Sequence, residues 1–151
     1  MHISAKVDYA VRALVVLAAS DGTPISGSAI AATGGLPPKF LDGILAELRR
    51  SGIVLSQRGS DGGYRLARAP ESVSIADVFR AIDGPLAEVR GERPEQTSYD
   101  GAAHSLQGVW IAVRANLRDV LERTTLADVA RGTLPPHVQR LVDDPDAWIA
   151  R

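Results

Sequence analysis

The sequence predicts a mainly α fold with one small two-stranded β wing and a long dimerisation helix behind it. Three observations carry this. Apolar residues recur at the 3.6-residue helical period in successive segments between Ala5 and Arg131, broken by glycine and proline. A glycine-rich stretch, "RGSDGGYR" (58–65), sits between two short alternating segments, as in a hairpin. Further on, Leu106, Trp110, Val113, Leu117 and Val120 repeat at alternating spacings of four and three, the seam of a helix that pairs with another helix.

The first helix is expected over 5–20, with Val7, Val11, Leu14 and Ala18 on one stripe and Ala10, Val15 and Leu17 beside it. So broad a stripe implies burial on more than one side. Ser20-Asp21-Gly22 ends it. "ISGSAIAATGG" reads as a short helix capped by Ser26 or Ser28 and stopped at Gly34-Gly35. Pro37-Pro38 opens the next, since the first helical position has no use for an N–H. On it Phe40, Leu41, Ile44, Leu45 and Leu48 share an apolar face, opposite Lys39, Asp42, Gly43, Glu47 and Arg50. Ser51-Gly52 terminates this helix, and "IVLSQ" and "YRLA" enclose the glycine stretch as strands. "SIADVFRAIDGP" is a bounded helix, with Ser74 and Asp77 as a capping box and Ile75, Val78, Phe79 and Ile82 inward. Residues 85–101 are a loop. A helix of about five turns carries the seam, Thr125 and Asp128 cap a short helix ending near Gly132, and the tail is irregular or briefly helical.

A short helix, a glycine turn and a second helix with a polar outer face form a helix-turn-helix. Followed by a hairpin and another helix, the order is that of a winged helix-turn-helix. Four segments follow: a DNA-binding domain at 1–84, a loop at 85–101, the dimerisation helix with the short capping helix at 102–132, and a tail at 133–151.

Several chemistries are excluded. A phosphate-cradling glycine loop runs from a strand into a helix, whereas Tyr64-Arg65-Leu66-Ala67 continues as a strand. The chain has no cysteine, which removes disulfides, thiolate nucleophiles and cysteine-ligated metal or cluster sites. His2, His104 and His137 are scattered, so no metal site and no cofactor are expected, and no nucleophile–base pair stands at catalytic spacing. The apolar run 9–19 contains Arg12 and is too short to cross a bilayer, and the N-terminal segment lacks the pattern of a signal peptide; a cytoplasmic protein without membrane partner is expected. The net charge of −1 names no partner, but between Leu36 and Pro70 six lysines and arginines face three acids. That basic bias points to a double-stranded DNA partner.

The candidate DNA contacts are Ser28, Pro38, Lys39, Asp42, Gly43 and Arg49 on the helix-turn-helix, and Arg58, Gly59, Ser60, Gly62, Gly63 and Tyr64 on the wing. Lys39 stands where a recognition helix enters the groove. Asp42 has the chemistry to accept from a cytosine amino group or to pair with Lys39 or Arg49. Arg58 and Arg65 suit a narrow minor groove or phosphates, or, in a solvated hairpin, an ion pair with Asp61. Gly43 costs about 1 kcal/mol in a helix interior relative to alanine; close approach to DNA would account for it, as would neutral drift.

"DYAVRALVVLA", "IAATGGLPPKFLDGILAELRRSGIVLSQRGSDGGYRLARAP", "SIADVFRAIDG" and "TTLADV" together resemble the Rrf2 family of bacterial transcription regulators over roughly residues 1–131. The RGxxGGY wing is the most specific part. The resemblance implies a homodimer paired through the long helix and acting, as a repressor, on a partly palindromic operator. Cluster-binding members place three cysteines in the segment matching 88–106, where this chain has Glu88, Arg90, Glu92, Arg93 and no thiol. Asp8 matches an acidic position that helps bind the cluster in some relatives; here it reads as a first-turn acid favourable to the helix dipole. A regulator without a cluster is expected, controlled by a small-molecule effector, a protein partner or its own abundance. A protein–protein adaptor or small-ligand module on the same scaffold is the second reading.

Overall fold

The computed structural model describes residues 2–150. Helix α1 (Ala5–Ala18) is the hub: it packs against four other helices and the hairpin, and buries Val7, Ala10, Ala13, Leu14 and Leu17. Ser4 caps it, its Oγ accepting from Val7 N at 3.2 Å. The helix stops at Ala18 rather than Ser20, and the chain then turns through Asp21 and Gly22, both at positive φ (50° and 81°).

Helix α2 (Gly27–Gly34) takes Ser26, not Ser28, as its cap, with Ser26 Oγ accepting from Ala29 N at 3.2 Å. Gly35 ends it in the left-handed conformation (φ 59°), and Leu36 N donates back to Ala31 O at 2.8 Å. Helix α3 (Pro38–Arg50) buries Leu41, Ile44, Leu45 and Leu48. Phe40, expected on that face, is 62% exposed; it lies about 90° around the helix from the centre of the buried stripe.

Strands β1 (Val54–Gln57) and β2 (Gly63–Leu66) pair antiparallel in the register Val54↔Leu66 to Gln57↔Gly63. On its other edge β2 meets the chain just before α2: Ile25 N donates to Tyr64 O at 2.9 Å and Tyr64 N to Ile25 O at 2.8 Å. The hairpin is thereby bonded to the helix-turn-helix.

Helix α4 (Ile75–Ile82) starts with the expected capping box, Asp77 N donating to Ser74 Oγ and Ser74 N to Asp77 Oδ2, both at 3.1 Å. It buries Ile75, Ala76 and Val78, while Phe79 and Ile82 pack half-buried against the core. After a loop with two short turns comes α5 (Leu106–Leu121), then α6 (Leu126–Arg131), opened by the Thr125–Asp128 box and closed by Gly132 at φ 66°. The starts of α4 and α6 are joined: Ile75 N donates to Thr124 O and Leu126 N to Val73 O, each at 2.9 Å. Helix α6 therefore returns to α1 and adds Leu126 to the buried cluster that contains Leu14, Ile44 and Val78. Helix α7 (Pro136–Val142) and a final turn make up the tail.

Helix α5 differs from the others. None of its 16 residues is buried, and among the described residues no helix is long and apolar enough to cross a membrane.

Candidate nucleic-acid interface

The outward face of α3 is a consequence of helical geometry. With the apolar side fixed on the core, Pro38, Lys39, Asp42, Gly43 and Arg49 are all exposed, on one side of the helix. Arg50 is exposed on the same face, two turns beyond Gly43, and was absent from the candidate set although its i+7 spacing marks it. Ser28 is exposed on α2, its hydroxyl 3.1 Å from that of Ser26.

Among the described residues Lys39 and Asp42 form no ion pair with each other or with any other group, so the Lys39–Asp42 and Asp42–Arg49 pairs weighed above are not made. Arg49 donates instead to Ser56 Oγ on β1 at 3.3 Å, tying the end of α3 to the hairpin. Glu47 is drawn away from this face by Lys6 of α1 (2.7 Å). Gly43 has open space where a Cβ would stand, so packing within the chain gives no reason for glycine there.

The wing is built by close backbone approaches. Gly62 N donates to Gly59 O at 3.0 Å to close the turn, and a Cβ on Gly62 would fall 2.3 Å from Gln57 O. Gly63, at φ 146°, abuts the strand edge so closely that a Cβ would stand 2.4 Å from Ile25 O. Tyr64 is half-buried and packs against the core, anchoring the return strand. What the turn leaves exposed is Arg58, Gly59, Ser60 and Asp61. Among the described residues Arg58 makes no ion pair, with Asp61 or otherwise. Arg65 is half-buried opposite Leu55. The candidate residues thus divide into exposed groups (Ser28, Pro38, Lys39, Asp42, Gly43, Arg49, Arg58, Gly59, Ser60) and a supporting set (Gly62, Gly63, Tyr64).

Arg12, which the sequence reading passed over as an interruption of an apolar run, supports the turn between α2 and α3. Its guanidinium donates to Gly34 O at 2.6 Å and Gly35 O at 2.9 Å, satisfying carbonyls at the end of α2. Its other nitrogen reaches Asp8 at 3.4 Å, so Asp8 orients this arginine in addition to sitting in the first turn of α1. A charged residue four positions after an acid on the same helix was the available signal.

On the five seam residues of α5, Leu106, Trp110, Leu117 and Val120 are half-buried against their own chain, and Trp110 Nε1 donates to Tyr99 Oη at 3.1 Å. Val113 is 44% exposed, and Val109, one turn before it, 50%.

Comparison with known proteins gives a consistent result. A family model, Rrf2, described as an iron-dependent transcriptional regulator, matches residues 3–132. The HTH-type transcriptional regulator Rv1287 of Mycobacterium tuberculosis is 53% identical over 145 residues, covering 95% of this chain and 90% of that one. The HTH-type regulator CymR of Bacillus subtilis is 33% identical over 134 residues, 88% of this chain and 92% of CymR. Among solved structures, CymR, titled the global cysteine regulator of B. subtilis, superposes with a TM-score of 0.73 at 32% identity over 88% of this chain and 98% of that one. The structure of IscR from T. potens gives 0.66 at 31% identity, over 100% and 93%.

Proposed function

The chain belongs to the Rrf2 family of DNA-binding transcriptional regulators, and we propose that it acts as a homodimeric repressor whose two copies read the halves of a partly palindromic operator with α3 and the wing. The observation that carries this reading is the state of Lys39 and Arg58: both are exposed cations, outside any ion pair among the described residues, on two elements hydrogen-bonded into one body. Phosphates or base edges are what such cations take up when a helix enters a major groove and a hairpin lies over the neighbouring minor groove. Gly43, with open space before it, lets the backbone of α3 approach the DNA.

The dimer would form through α5. A 16-residue helix with no buried residue and with Val109 and Val113 turned outward leaves an apolar row that a second copy of the helix would cover. A two-fold pairing of this kind would relate the two α3 helices by the same symmetry that relates the halves of the operator.

The family description names iron, and the donor set here does not fit a cysteine-ligated cluster. There is no cysteine in the sequence, and among the described residues no three of His, Cys, Asp and Glu are grouped to hold a metal. In the segment where cluster-binding relatives carry thiols, Glu95 is committed to Arg114. DNA binding by this chain is therefore proposed to proceed without a cluster.

The test is selection of bound fragments from genomic DNA, followed by titration of the selected operator at several salt concentrations. Arg58→Ala and Lys39→Ala should each weaken binding, lowering the salt slope by about 1 where a phosphate contact is lost or relaxing base preference where an edge contact is lost. Unchanged affinity in both variants would remove this face from the site.

A further inference from the structure

Away from the DNA-facing surface, a cavity of about 380 Å³ opens between the end of α4, the loop that follows it and the middle of α5. Its lining combines four arginines from three parts of the chain, Arg80 of α4, Arg93 of the loop and Arg114 and Arg118 of α5, with the short Gly84–Ala87 backbone segment as its other wall. Glu95 is the carboxylate in the lining, where four positive charges face one negative; Glu122 and Asp77 reach Arg80 from outside it, which leaves four positive charges against three negative.

The existing partners account for part of this charge. Arg114 is paired with Glu95, and Arg80 and Arg118 converge on one oxygen of Glu122, with Arg118 Nε at 3.0 Å. Arg80 also lies 3.8 Å from Asp77 Oδ1. Arg93 is exposed and forms no ion pair among the described residues. Two guanidiniums sharing a single carboxylate oxygen leave most of their N–H donors unused, because each carries five in a planar fork. Such forks match the paired oxygens of a phosphate or carboxylate, and ion pairs this exposed give way to a better-matched anion at little cost.

We propose that this cavity is a binding site for a small multivalent oxyanion, a phosphate ester or a polycarboxylate, held by Arg93 and Arg118 with Arg80 and Arg114 beside them. A cavity of this volume is metabolite-sized. Its walls come from α4, which is packed into the core, and from α5, which is not, so an occupant would bridge the two. The site does not depend on the proposed DNA contacts, and its direct test does not involve DNA.

The experiment is isothermal titration of the full chain with pyrophosphate and, separately, with citrate, with acetate as a monovalent control. One equivalent of pyrophosphate or of citrate should bind saturably per chain, with acetate giving no saturable heat. Arg93→Ala and Arg118→Ala should each weaken binding about tenfold or more, whereas Arg58→Ala on the wing should leave it unchanged. Arg93→Ala removes a charge that holds no ion pair among the described residues, and a thermal melt of the variant beside the titration separates lost binding from lost stability. Binding of pyrophosphate alone would fix the class as phosphate esters, and binding of citrate alone as polycarboxylates. The proposal fails if neither probe gives saturable heat up to about 10 mM. It fails equally if binding survives both Arg93→Ala and Arg118→Ala, or if Arg58→Ala abolishes it.

Discussion

Gly43 and Gly63 are the same residue type in regular elements, and replacing each by alanine should have opposite effects. At Gly43 the helix interior gains a better helix former and the new methyl meets open space, so Gly43→Ala should raise stability by about 0.5–1 kcal/mol. If α3 lies against DNA as proposed, the same variant should bind operator more weakly, and urea unfolding alongside DNA titration separates the two effects. At Gly63 the methyl would collide with the Ile25 carbonyl at a positive φ, so Gly63→Ala should cost about 2–3 kcal/mol in urea unfolding. The sequence marked both positions without distinguishing them. Nothing in "DGGYR" says that its second glycine abuts a strand edge from 38 residues earlier, because that neighbour is set by tertiary packing. Phe40 shows the same limit: its spacing from Ile44 fits the apolar face, but burial also depends on what stands opposite, and Phe40 lines an open groove with Ala5, Lys6 and Tyr9 of α1.

Capping is the most legible level of the chain. The Ser74–Asp77 and Thr125–Asp128 boxes and the glycine stops after α2 and α6 were all readable, since each motif is local and needs no knowledge of the rest of the fold. The coupling between the two boxes was not, because the Ser74–Thr125 bridge joins positions 51 residues apart. Ser74→Ala and Thr125→Ala should each destabilise by about 1 kcal/mol, and the double variant should depart from additivity in thermal or urea unfolding. The tie between α4 and α5 should depend on pH. Hydrogen bonds from Arg80 and Arg118 hold the Glu122 carboxyl below its ordinary value of 4.5. A lowered folded-state value means the stabilisation is fully present above that ordinary value and is lost as pH falls through the folded-state one. The stability difference between the protein and Glu122→Gln should accordingly be constant at neutral pH and shrink to nothing in acid, as pH-dependent urea unfolding would show.

For the whole molecule, the order of elements and hence the winged helix-turn-helix was legible from residue patterning, because order and binary pattern determine how a hairpin follows a helix-turn-helix. Patterning was less informative about α5. A seam read from spacing cannot say which of its residues turn to their own chain, and Leu106, Trp110 and Leu117 do so in part while Val113 does not. If α5 pairs two copies, Val113→Glu should shift sedimentation from dimer to monomer and weaken operator binding, since each copy alone contacts one half-site. A dimer unaffected by Val113→Glu would place the interface elsewhere. The purified protein should also be colourless, with no stoichiometric iron or sulfide after anaerobic preparation, given the absence of thiol ligands.

The pair of hydrogen bonds between Ile25 and Tyr64 turns a two-stranded hairpin, marginal by itself, into the outer part of a three-stranded patch. The amide protons of Ile25 and Tyr64 are shared between elements that are 39 residues apart, so neither can meet solvent unless the helix-turn-helix and the wing part from each other. In hydrogen–deuterium exchange these two amides should therefore be as slow as those of the buried core, while Ser60 and Asp61 at the turn exchange quickly. The spacing between α3 and the turn is then a fixed gauge, and lengthening the turn by a residue or two would extend the tip without altering that gauge.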